Sequence, residues 1–71
     1  MRERVYKTMV QRYTSQMEDA LLKVDMLLTN ARANSEMVDH SDITGEIDKH
    51  LAACATASEK LAMLKRFYST N

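Results

Sequence analysis

His50 and Cys54 are the residues of this chain best suited by type to do chemistry. They stand four apart, so one helical turn brings an imidazole and a thiol to the same face. Two metal ligands can share that spacing, but a structural zinc site needs four and a catalytic one at least three. The other potential donors nearby, His40 and Asp48, do not fall at spacings that converge with them, and there is no CxxC pair or HExxH run. The same two residues also suit a helical seam, His50 as a polar notch that fixes register and Cys54 as a small apolar filler. We assign no metal and no cofactor. A chain with one glycine has no phosphate-cradling loop. No serine, histidine and acid are spaced to suggest a triad, and two helices offer no cleft that excludes water. The expectation is a protein that is not an enzyme.

The element that positions His50 and Cys54 is a repeat. Ile43, Ile47, His50, Cys54, Ala57, Leu61, Leu64 and Tyr68 follow one another in steps of 4 and 3. Tyr6, Val10, Tyr13, Met17, Ala20, Val24, Leu27 and Ala31 do the same. Each series is a heptad seam along one side of a helix. Folding the chain back at residue 37 pairs Tyr6 with Tyr68, Val10 with Leu64, Tyr13 with Leu61 and Met17 with Ala57. The same fold pairs Ala20 with Cys54, Val24 with His50, Leu27 with Ile47 and Ala31 with Ile43. Matching phase over eight layers predicts an all-α fold, an antiparallel two-helix hairpin of coiled-coil type.

The expected bounds are a first helix over about 5–34, a loop over about 35–39 and a second helix over about 40–68, within one domain spanning 1–71. Residues 1 to 5 are expected to fray. Asn34, Ser35 and Glu36 end the first helix, since asparagine and serine favour caps and turns. Asp39 is the expected N-cap of the second, with Val38 and Ile43 as a hydrophobic staple and Ser41 as a rival cap. Asp42 and Glu46 suit the positive end of that helix dipole. Gly45 falls in the second turn and marks either a bend or a close contact. The run Ala52 to Ser58 is nearly all small, and two readings fit it: close backbone approach, or simple helix propensity.

Two helices have too few faces to bury a core of ordinary size, and 71 residues with one cysteine allow no internal disulfide to compensate. The hairpin is therefore expected to be completed by a partner or by self-association. Beside the seam, Leu21, Leu28 and Leu51 widen the apolar stripe on one flank, and Met9 and Phe67 widen it on the other near the open end. Leu22 and Met26 fall on the outer face. We take Met9, Tyr13, Met17, Leu21, Val24, Leu28, Leu51, Leu61 and Phe67 as the candidate partner-binding residues. Basic residues gather at the open end and acidic ones near the loop, which can orient a partner. Ten basic against ten acidic residues point to neither nucleic acid nor membrane. No apolar run approaches the ~18 residues of a membrane span, and no signal core follows the charged N-terminus. The single thiol fits a reducing compartment, and the expected location is the cytoplasm.

The stretch Gln16-Met17-Glu18-Asp19-Ala20-Leu21-Leu22-Lys23-Val24 resembles the first helix of the small two-helix co-chaperones of type III secretion needle subunits. That helix carries a Gln-apolar-Glu-x-Ala-Leu-x-Lys-apolar run. The layout is similar too: about 70 residues, a helical hairpin, and an alanine-rich second helix ending in an aromatic-containing turn, here Leu61 to Tyr68. The resemblance implies a cytoplasmic protein that binds a helical-repeat chaperone of tetratricopeptide type. The two together would hold the needle subunit soluble and unpolymerised until export. Of the matched residues, Met17, Ala20, Leu21 and Val24 lie on or beside the seam, where the resemblance places partner contact. Gly45 and the long second helix have no counterpart in that pattern. Thr44-Gly45-Glu46-Ile47-Asp48 in turn is similar to the Ser-Gln-Glu-Leu-Asp signature of small two-helix sporulation phosphatases, with Glu46 and Asp48 matching and Gly45 in the glutamine's place. A third expectation needs no family: a self-associating four-helix bundle, or homodimer, with a structural role.

Overall fold

A chain without proline has nothing to interrupt a helix, and the computed structural model is two helices and a connection. It describes residues 1–33 and 40–69, with side chains over 1–30 and 42–69. Helix α1 spans Arg2–Ala33 and α2 spans His40–Tyr68. They lie antiparallel along one another in a rod of 53 × 15 × 15 Å. Its radius of gyration is 16.1 Å, against about 11 Å for a compact domain of this length.

The seam sets the packing, residue by residue. Every seam side chain described is buried or half-buried, Tyr68 apart; outside the seam, only Met9 is. Tyr68 is the last residue of α2, and it stands exposed although Tyr6 lines the same groove. The tightest closure is at the middle, where Ala20, Val24 and Ala57 form the buried core. Small side chains there let the two backbones approach closely. The run Ala52 to Ser58 therefore divides between its two readings. Ala57 and Cys54 face α1, while Ala52, Ala53, Ala55, Thr56 and Ser58 are exposed, and of these the alanines contribute helix propensity.

Contacts across the rod agree with the register. Tyr6 lines the same open-end groove as Leu64 and Tyr68. The Lys60 ammonium lies 5.8 Å from the centroid of the Tyr13 ring. The Arg2 guanidinium donates across the open end to the Tyr68 carbonyl at 3.5 Å.

Helix α1 starts at Arg2, so the first turn expected to fray is helical. Its opening bond runs from the Val5 N–H to the Met1 carbonyl at 3.0 Å. Glu3 stands in this first turn, where a negative charge complements the helix dipole, and pairs with Lys7 one turn on at 3.7 Å. These local terms outweigh the charge density of Met1-Arg2-Glu3-Arg4. At the other junction, Asp39 and Val38 lie outside the described residues, as do Asn34, Ser35, Glu36 and the side chain of Ser41. The start of α2 at His40 sets Asp39 just before its first residue. Gly45 marks neither a bend nor a close contact: its φ is negative, and a Cβ built on it meets nothing within 4 Å.

Candidate protein-interaction surface

His50 lies in the seam, its side chain 18% exposed, with Nε2 3.6 Å from Glu46 Oε2 one turn earlier. That contact is an ion pair only with the imidazole protonated, and it is too long for a hydrogen bond. The two share a groove with Lys23, Met26, Leu27 and Asn30. Cys54 is a half-buried free thiol in the same seam. Among the described residues, no three His, Cys, Asp or Glu side chains come together to hold a metal ion. Glu46 and Asp48 are two residues apart on α2, and residues at that spacing do not face one another on a helix.

The nine residues singled out for partner binding fall into two groups. Tyr13, Met17, Val24 and Leu61 belong to the closed seam, where the hairpin's own second helix covers them; Val24 is buried and the others are half-buried. Their work is to hold α1 on α2. Leu21, Leu28, Leu51 and Phe67 stand exposed, and Met9 is half-buried beside the seam. A covering partner would find these five.

The exposed residues make two patches on opposite flanks. The first is central. Leu21 and Leu28 are seven residues apart and so line up on one face of α1, about 10.5 Å from each other. Leu51 follows His50 on α2 and projects to the same side. The three leucines keep 45%, 53% and 46% of their surface in water. The remaining flanking positions on this side are Thr14, Thr44 and Ser58, so the flank is uncharged from Lys7 to the loop and back to Lys65. The corresponding positions on the other flank include Lys23, Glu46 and Lys60. An uncharged, leucine-bearing strip on one side only is a surface that gains by being covered.

The second patch is at the open end. Met9 and Phe67 lie there with Tyr13, Met63, Leu64 and Tyr68, under the ammonium of Lys60. Val5 and Met63 were absent from the sequence reading, yet the signal was available. Val5 precedes Met9 by four and Met63 precedes Phe67 by four, so each shares a helix face with a residue already chosen. Both are exposed. On the outer face, Leu22 and Met26 project to water as expected.

No family model matches the chain, and no curated protein or solved structure shows significant similarity to it. Among the described residues, no helix is long and apolar enough to cross a membrane.

Proposed function

We propose that this chain is a protein-binding helical hairpin that acts as a type III secretion co-chaperone. With a helical-repeat partner chaperone it would keep the needle subunit soluble and unpolymerised in the cytoplasm of a bacterium. The observation that supports a binding role is the uncharged strip of Leu21, Leu28 and Leu51, left in water beside a seam that is already closed. A hairpin of this length satisfies its own seam and still carries apolar surface enough for another helix to cover. The specific identity of the partner rests on the resemblance of Gln16 to Val24 and on the layout of the chain. We read the protein as a non-enzyme that needs no cofactor.

Co-expression with a helical-repeat chaperone of a type III system and its needle subunit tests this. The expected result is a soluble complex with one copy of each. Leu21→Asp sets an unpaired carboxylate into the covered strip, so it should weaken that complex by roughly 10–100-fold, as loss of a strong interface anchor does. Because Leu21 is outside the seam, helicity should hold. A needle subunit that stays insoluble with both chains present would overturn the proposal. A variant that unfolds while sparing the complex would show that the strip is the wrong surface.

A further inference from the structure

The two halves of the rod carry opposite charge. The open half, residues 1–18 and 56–71, holds seven basic residues against three acidic, a net +4. Among the described side chains of the loop half, residues 19–30 and 42–55, there are two basic against five acidic, a net −3. The molecule is neutral overall and strongly polar from end to end. It is also over-exposed: 5799 Å² of accessible surface, where a compact protein of 8.1 kDa would show about 4,500 Å². The difference is more than the ~800 Å² that each partner gives up in a specific complex of standard size.

We infer that the occupant of the leucine strip, in the absence of any other protein, is a second copy of this chain, lying antiparallel to the first. Two such rods related by a two-fold axis through the strip set the basic end of each beside the acidic end of the other. A parallel pair would set like charge on like charge at both ends. The two-fold contact is self-complementary, as an isologous interface must be. Leu21 and Leu51 lie about one turn from the middle of the rod, so an axis there leaves the two copies overlapping along about three-quarters of the described length, at 1.5 Å per residue. Leu28 of each then packs over Thr14 and Ser58 of the other, which are small and uncharged. The product is a four-helix bundle in which the strip that faced water becomes core. This pairing and the covering of the strip by a chaperone exclude one another, and the inference does not depend on the identity of the chaperone.

Light-scattering mass over about 5–500 µM, a range that brackets micromolar association, reads the first part. About 16 kDa, twice the 8.1 kDa chain, is expected at the upper end, and a mass fixed at one chain throughout would overturn the inference. Leu28→Asp should return the mass to one chain with helicity retained; a dimer indifferent to it overturns the choice of surface. Orientation is read from a spin label at Lys7→Cys in a Cys54→Ala background, with helicity checked. Antiparallel copies separate the labels by about 40 Å, at 1.5 Å per residue over the intervening helix. Neighbouring parallel helices lie 8–10 Å apart, so labels within about 20 Å overturn the arrangement. Raising salt from 0.1 M to 1 M shortens the screening length from about 10 Å to about 3 Å and should weaken the dimer. Association unchanged by salt would remove the pole-to-pole attraction from the account.

Discussion

Gly45 occupies a place on α2 that asks nothing of a glycine: its side of the helix is open and its backbone is ordinary. Its presence costs helix stability without a packing return. Gly45→Ala should therefore stabilise the hairpin by about 0.5–1 kcal/mol, read as a rise of several degrees in melting temperature for a chain of this size. An unchanged or lower midpoint would overturn the reading of Gly45 as a position that asks nothing of a glycine. His50 is a different case. Its place in the seam sets the imidazole beside Glu46, in a groove that Met26, Leu27, Lys23 and Asn30 also line. That is the notch a helical seam uses to choose one register over another. Its type alone suggested metal chemistry, but type does not assemble a ligand set; only a third and fourth donor on neighbouring elements does.

The seam between α1 and α2 is narrowest where the side chains are smallest. Ala57 is 2% exposed, and register sets it opposite Met17. Ala57→Leu forces three further carbons into that waist and should destabilise by about 1–3 kcal/mol. Ala52→Leu, one and a half turns away on the exposed side, should stay within about 0.5 kcal/mol of the parent. Thermal melts of the two variants separate packing from propensity, because leucine and alanine are both good helix formers. The seam was legible from spacing because the two heptad series share one phase, and no alternative fold of so few turn residues satisfies both. Its far end was less legible. Tyr68 has the right spacing, but spacing does not say that its own helix ends there and leaves it exposed. The start of α1 was misjudged for a related reason: hydropathy registers the charges of the first turn and is blind to the pairing of Glu3 with Lys7. The exposed apolar strip was only half legible. Periodicity finds apolar residues near the seam, but which of them the hairpin itself covers depends on a few tens of degrees around the helix. Val24 and Leu21 are both apolar and less than a turn apart, and one is core while the other is strip.

A rod 53 Å long and 15 Å across has a thin core. Among the described residues the three buried ones lie near the middle, and no large side chain is fully buried. Such a molecule is closed by its seam and completed by its surroundings, which makes the leucine strip and the opposed end charges properties of the whole chain and not of either helix. The antiparallel hairpin also grades its own contacts by the length of chain each must close. Leu27 and Ile47 are 20 residues apart along the sequence, whereas Tyr6 and Tyr68 are 62 apart. On a flexible-chain estimate, closing the outer pair costs about 1 kcal/mol more entropy than closing the inner one. The outer pair is also the less well covered, with Tyr68 exposed and one long hydrogen bond from Arg2 to its carbonyl crossing the end. The rod is thus a zipper held at its waist and loose at its open end. Amide hydrogen exchange should run fastest in the outer turns, slow toward the waist at Ala20 and Ala57, and show the two helices opening in step at matched layers. Uniform protection from end to end would instead describe a single all-or-none clasp. Graded opening leaves Met9 and Phe67 at the part of the molecule that parts first, so a newcomer helix can enter between α1 and α2 from the open end while the waist stays shut.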